Sequence, residues 1–415
     1  MTNKNVPELL LPAGDLQKAK FAFAFGADAI YAGVPRFSLR TKENKFDASE
    51  IKEIITYAHD LNKKVYVTTN IYPHNEKLEP FFAAIDQLVE LNPDAFIVSD
   101  PGIIQYFRSN HPDVELHLSV QQNNVNWASA QFWGSQGIKR IILARELSLE
   151  EMKTIVEKNP AMEFEAFVHG EICISYSGRC LLSNYLTGRD ANQGACAQSC
   201  RWQYKVLEEN LRPGEYHDAY EDENGTYIMN SKDLCAIKYL KDLWDIGICS
   251  FKIAGRNKGV NYVAVVAKTY RQAIDQIDTG KIPDYKTLTT ELQSVGNRGF
   301  IPGFLKGRPE EQGQRYDKNT MLQTHVFTGI LTNYKSETKE ATFLAKNKTE
   351  VGDTIEIITP TKLITHTITE MKDNEGQPIT SISPGVGEFT ITVDQEIDSK
   401  FCVARRAGEQ KRNEK

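Results

Sequence analysis

Eight short apolar runs, each followed by a stretch of helical periodicity, constrain this chain more than any other feature. The runs are LLL at 9–11, AIYAG at 29–33, KVYVTTN at 64–70, AFIVSD at 95–100, LHLSVQ at 116–121, RIILARE at 140–146, FEAFVHG at 164–170 and FKIAGR at 251–256. Short, nearly continuous apolar runs read as strands covered on both faces, the situation of a parallel sheet wrapped by helices. The helical stretches carry their own start signals. Asp15 precedes LQKAKFAFAFG as an N-cap, Pro101 opens PGIIQYFRSN, and Ser148 with Glu151 forms a capping box. The pattern predicts an α/β fold, a (β/α)8 TIM-like barrel with a Cys-rich insertion after strand 7. A doubly wound open sheet is the alternative. The count of eight and the lack of a Gly-rich phosphate loop after the first strand favour closure.

In such a barrel the chemistry sits at the C-terminal ends of the strands. Those ends carry Tyr31, Asn70, Asp100, Gln121, Gln122, Arg145, His169, Glu171 and Arg256, with Arg36 in the loop after the second strand. A ring of polar groups above apolar strands is what a substrate pocket needs. Arg145 and Arg256 are candidates to hold anionic groups bidentately, against ordinary surface pairing. His169, near the insertion, is a catalytic candidate, against a hydrogen-bonded structural histidine.

The insertion contains four of the seven cysteines, Cys173, Cys180, Cys196 and Cys200, spaced C-x6-C-x15-C-x3-C. No apolar run approaches the ~18 residues of a membrane span. The N-terminus shows no signal-peptide h-region, so a cytoplasmic location is expected. Reduced thiols in odd number are not a disulfide framework. Zinc sites bring thiols in closer pairs than this, whereas an iron-sulfur cluster tolerates wide spacing. From spacing alone iron-sulfur, zinc and a set of buried core cysteines all stay open. Cys249 and Cys402 read as core residues, and so does Cys235, which is also kept as a substitute ligand. The formal net charge is -6, yet Arg179, Arg189, Arg201 and Lys205 outnumber Glu171 and Asp190 across the insertion. Arg179 and Arg201 interleave with Tyr176, Tyr185, Trp202 and Tyr204, a mixture that suits base stacking with phosphate contact or, more plainly, loop packing.

The domain reading is a barrel over 1–280 with its Cys-rich loop at 171–232, a connector at 281–322, a small all-β barrel domain at 323–408 and a tail at 409–415. A helix is expected over KDLCAIKYLKDLWDIG, and NRGFIPGF is expected to pack back on the barrel.

The runs EAFVHGEICISYSGRCLLS, LLLPAGD, AIYAGVPRFSLR, GACAQSCRWQY, GTYIMNSKDL and FKIAGR closely resemble the collagenase-like peptidase family of unassigned catalytic type. Within it the pattern is most similar to the branch that hydroxylates tRNA. That resemblance implies a wobble-uridine hydroxylase making 5-hydroxyuridine, with tRNA as partner and prephenate as the hydroxyl source in place of dioxygen. It also implies a [4Fe-4S] cluster on Cys173, Cys180, Cys196 and Cys200. Other members act on 23S rRNA cytidine or ubiquinone precursors, and the family name implies a peptidase. No zincin H-E-x-x-H helix is present. One departure stands out: the family's KIEGR element reads KIAGR here, with Ala254 at the acidic position.

Overall fold

The computed structural model describes residues 5–39, 46–202, 221–222, 225–226, 230–309, 311–315 and 321–408. Seven strands follow in order: β1 (Glu8–Ala13), β2 (Ala29–Gly33), β3 (Lys64–Thr69), β4 (Ala95–Val98), β5 (Leu116–Leu118), β6 (Arg140–Ile142) and β7 (Glu163–Gly170). Each pairs in parallel with the next. After β8 (Asp233–Cys235), β9 (Ser250–Ile253) pairs in parallel with both β7 and β1. That double pairing closes the ring, so the open doubly wound sheet is excluded.

Between the strands run α1 (Leu16–Ala24), α2 (Ala48–Asp60), α3 (Leu78–Val89), α4 (Pro101–Asn110), α5 (Trp127–Ser135) and α6 (Leu149–Lys158). Inside the Cys-rich loop lies the short α7 (Leu182–Thr187), where only irregular chain was expected. Around β9 come α8 (Leu240–Ile246) and α9 (Val260–Asp278). The start signals act as the sequence implies. Asp15 accepts from Lys18 N at 2.9 Å, and Ser148 and Glu151 form a reciprocal capping box.

The helix expected over 232–247 begins only at Leu240. Residues 233–235 form β8 instead, antiparallel to the end of β7, with Leu234 opposite Gly170 and Cys235 opposite His169. β7 runs on beyond the ring, and its last backbone groups need partners that β8 supplies. β10 (Phe300–Ile301) then pairs in parallel with β8, so NRGFIPGF does pack back on the barrel. The connector also holds α10 (Tyr285–Gln293).

The C-terminal domain is a curled six-stranded antiparallel sheet of β11 (His325–Lys335), β12 (Glu340–Ala345), β13 (Thr354–Ile358), β14 (Leu363–Thr367), β15 (Glu388–Thr392) and β16 (Val403–Ala407). Its order is β14-β13-β16-β11-β12-β15. Phe343, Ile355, Ile357 and Phe389 fill its core. The domain is fixed to one flank of the barrel. The buried Arg405 guanidinium makes two 2.8 Å bonds to Glu291 of α10, and Lys268 of α9 donates to the carbonyls of Thr359 and Lys362 at 2.7 and 2.9 Å. Tail residues 409–415, Tyr204 and Lys205 lie outside the described residues.

Candidate active site

Alternation along β7 turns Glu163, Glu165 and Phe167 into the barrel while Phe164, Ala166 and Val168 join the core beneath the helices. At the N-terminal end Arg140 binds Glu8 at 2.8 Å, Glu163 at 2.9 Å and Glu165 at 3.5 Å. Tyr66 and Ser250 donate to the same Glu8 at 2.6 and 2.9 Å. One level higher, Lys252 meets Glu165 at 2.7 Å. Burial opposes ionisation of Glu165, but the charges of Lys252 and Arg140 outweigh it and hold the carboxyl below its usual range.

Towards the C-terminal mouth the balance changes. Lys252 Nζ lies 4.4 Å from the Tyr31 ring centroid and 5.5 Å from that of Phe167. Arg145 stacks 3.9 Å over Phe167, and Arg256 sits 5.7 Å over Tyr31 while donating to Thr68 Oγ1 at 3.1 Å. Three cations thus gather on two rings. Beside them Glu171 accepts from Asn257 at 3.3 Å and lies 3.5 Å from Arg298 and 4.0 Å from Lys258. Arg298 also lies 3.5 Å from Asp233, whose carboxyl is pushed up by burial. Burial pushes Lys252 and Lys258 down. The mouth therefore concentrates positive charge in a low-dielectric setting, an arrangement that favours an anionic ligand.

The Ala254 departure falls here. A Cβ placed on Gly170 would come within 2.9 Å of Ala254 Cβ, so the two residues stand side by side on adjacent strands. Glu171, also buried, follows Gly170 directly, one residue past the end of β7, as Ala254 is one residue past the end of β9.

Among the residues singled out from sequence, Tyr31, Arg145 and Arg256 converge with Glu171 at the mouth. His169 does not. A β-bulge shifts the register so that Lys252 pairs with Phe167 but Ile253 with His169, which turns the imidazole outward. It is caged by Tyr262, Tyr270 and Phe300, with Nδ1 3.2 Å from Tyr270 Oη. Burial and then the charge of Lys258 push its pKa down to about 3. Asp100 caps α4, accepting from Gly102 N and Ile103 N. Asn70 ties Leu39 N to Ser119 Oγ, and Gln122 donates to the Ser99 carbonyl at 2.5 Å. The buried Gln121 packs between these loops, and its carbonyl accepts from Tyr72 Oη at 2.8 Å. Arg36 is exposed. Arg201 is buried and donates to the carbonyls of Ile172 and Ser231, tying the middle of the Cys-rich loop to its two ends beside the barrel. Glu165, Lys252, Lys258 and Arg298 were not singled out. For the first two the signal was present, because each is a charge alternating with apolar residues inside a strand.

The Cys-rich loop crosses the mouth as a strap. It leaves β7, and its far side docks on the loop after β3, four strands round the ring: Tyr72 N donates to Asn192 O at 3.2 Å and Lys77 to Gln193 at 2.6 Å. Midway, Ser177 N donates to Glu146 Oε1 at 2.6 Å. Cys173 and Cys196 are exposed, Cys180 and Cys200 half-buried. Burial raises the Cys200 thiol; Arg201 opposes this, and the neighbouring Cys173, Cys196 and Cys180 add to it. Gln198 N donates to Cys196 Sγ at 3.3 Å, the outer bond a thiolate ligand uses. Among the described residues no three His, Cys, Asp or Glu side chains are arranged around a single ion. A four-iron cluster asks for something looser, since each thiolate takes a different iron. Cys235 faces α9, its Sγ 3.9 Å from Tyr270 Oη and away from the strap.

Residues 14–315 match Peptidase family U32 and residues 323–402 match the Peptidase family U32 C-terminal domain. "tRNA hydroxylation protein P" of Escherichia coli is 42% identical over 98% of both chains. "tRNA hydroxylation protein P1" of Bacillus subtilis is 38% identical over 90% of this chain and 88% of its own. "23S rRNA 5-hydroxycytidine C2501 synthase" of Escherichia coli is 37% identical over 74% of this chain and 46% of its own. The chain belongs to peptidase family U32.

Proposed function

We propose that this protein is an oxygen-independent tRNA hydroxylase that converts wobble uridine to 5-hydroxyuridine. Its hydroxyl donor is a dicarboxylate alcohol of the prephenate type, and a [4Fe-4S] cluster is held by Cys173, Cys180, Cys196 and Cys200. The observation that carries this reading is the set of cations on Tyr31 and Phe167, with Lys252 and Arg256 buried and Arg145 half-buried, at the mouth that the thiol-bearing strap crosses. The relatives' names, which describe hydroxylation of tRNA and of an rRNA pyrimidine, support it.

Arg145 and Arg256 would bind the donor's carboxylates, one from each side of β7 and β9, with Phe167 and Tyr31 as the floor. Lys252 sets the charge of that floor and is itself fixed by Glu165. The strap excludes water, which strengthens these contacts. A bound cluster of this kind supplies iron that exchanges single electrons or polarises an oxygen ligand. The net exchange places the donor's hydroxyl on C5 and a hydrogen on the donor's carbinol carbon. The pyrimidine loses the two electrons that the donor gains. Peptide hydrolysis finds no support in His169, which is neutral and faces α9 rather than the thiols.

The test is to purify the protein anaerobically, assay iron and sulfide, and incubate it with tRNA with and without the donor. Expected are visible absorbance, lost on Cys173→Ala, and donor-dependent 5-hydroxyuridine in the tRNA digest. A colourless, iron-free protein would overturn the cofactor, and unmodified tRNA would overturn the activity.

A further inference from the structure

A cleft of about 400 Å³ lies at the edge of the strap and not beneath it. Its walls come from three places: Tyr72 and His74 after β3, Gln122 after β5, and Arg179 and Asn192 on the strap. That volume falls within the roughly 300–1,000 Å³ of small-ligand sites. We propose that this cleft receives one unpaired pyrimidine nucleotide of the RNA substrate. The proposal rests on the hydroxylase reading and adds where the RNA is gripped.

The chemistry of the walls points to a nucleotide. Gln122 and Asn192 have committed their amide N–H groups, to Ser99 O at 2.5 Å and to Cys180 O at 3.3 Å. Both amide planes are therefore fixed, and both carbonyl oxygens are left as acceptors without a partner among the described residues. A uracil edge offers one strong donor, its N3–H, to such acceptors. Arg179 is exposed, and its guanidinium has no hydrogen-bond or ion-pair partner among the described residues. It is the cation that a phosphate or a pyrimidine carbonyl would complete. Tyr72 is held by its hydroxyl bond to Gln121 O, so its ring is a fixed wall for stacking. Asp190, the one carboxylate on the lining, is taken by Asn192 N at 2.8 Å and Gln193 Nε2 at 3.1 Å and shapes the strap. Asn192 donates to the Cys180 carbonyl and Gly178 lies two residues before that cysteine, so the cleft adjoins the segment of the strap that carries it. An enzyme that modifies a base must take it out of any stack, and a wall of fixed acceptors beside an aromatic ring is how a displaced base is read.

The experiment uses the full-length, iron-loaded protein and an anticodon stem-loop oligonucleotide with 4-thiouridine at an unpaired loop position. After irradiation the crosslinked peptide is identified by mass spectrometry. Binding of the unmodified oligonucleotide is measured against salt for wild type, Arg179→Ala and Arg179→Lys, and hydroxylation of tRNA is assayed on the same preparations. We expect the crosslink in the peptide carrying 72–74 or that carrying 178–192. Arg179→Ala should lower the slope of log affinity against log salt by about 0.7–1, the loss of one phosphate contact, and Arg179→Lys should keep it. A crosslink elsewhere, or a slope unmoved by Arg179→Ala, overturns the cleft; if tRNA is still hydroxylated, the proposed activity survives that result. A crosslink in the cleft with tRNA left unmodified keeps the cleft and removes the activity.

Discussion

The two ends of the barrel treat buried charge in opposite ways. At the N-terminal end Arg140 is shared by Glu8, Glu163 and Glu165, and the further oxygen of Glu8 is taken by Tyr66. Charge there is matched by nearby countercharge and hydrogen bonds. At the C-terminal mouth Arg145 and Arg256 lie over Phe167 and Tyr31, Lys258 and Arg298 meet Glu171 with Arg298 also near Asp233, and Lys252 is held by Glu165 from below. A self-satisfied network serves the fold; a mouth in which cations outnumber carboxylates suits an anionic ligand. The comparison separates stability from function within a single cavity.

The sharpest way to break it is to delete one cation from each end. Arg140→Met leaves carboxylates buried without their counterion and should cost about 3–5 kcal/mol, a fall in Tm on the order of 10 °C. Arg256→Met should do the reverse. Its charge disfavours protonation of Lys252, so its removal relieves repulsion, and stability should stay within about 1 kcal/mol. Hydroxylation, measured as kcat/KM, should drop roughly 100- to 1,000-fold. Equal destabilisation by both variants would make the mouth a second structural network.

His169 sharpens the boundary between the two roles. A base whose folded pKa lies below its unfolded value takes up its proton first in the unfolded chain. Stability is then lost as pH falls from about 6.5 towards about 3. Between pH 7 and pH 5 the wild type should lose roughly 2 kcal/mol relative to His169→Phe, read from denaturant midpoints at both pH values. Phenylalanine suits the cage of Tyr262, Tyr270 and Phe300, and hydroxylation should persist. Loss of activity with an unchanged pH profile would return His169 to the reaction.

That residue also shows where sequence reasoning reaches its limit. The barrel was legible because each strand is a local apolar run, and the thiols because they lie in one loop. The direction of His169 depends on a bulge against β9, more than eighty residues away in sequence, and no local pattern encodes it. Residues 233–235 read as helix because their apolar spacing suits one; the unpaired end of β7 made them a strand. Lys252 and Glu165 were visible as charges within strands, but their pairing at 2.7 Å needs the closed ring. Arg298 meets Glu171 only because the connector folds back over the mouth, and Lys258 reaches it from the loop after β9.

The smallest expected effect on global stability concerns the strap, which belongs to the mouth and not to the barrel wall. Gly178 and Gly188 both have left-handed backbones, with φ of 70° and 67°. A Cβ at Gly188 meets nothing within 4 Å, whereas one at Gly178 would lie 1.9 Å from the Gln121 carbonyl oxygen. Alanine at either position costs about 1 kcal/mol of backbone strain. Only Gly178→Ala must also lift the strap from the loop after β5. Both variants should therefore keep Tm within a few degrees of wild type, since neither touches the barrel core. Limited proteolysis should cut the strap faster in Gly178→Ala than in Gly188→Ala, and iron retention should fall in the same order. If the two behave alike, the contact at Gln121 does not hold the strap, and its position over the cations must come from Arg201 and Glu146, whose bonds anchor it at Ile172 and Ser177.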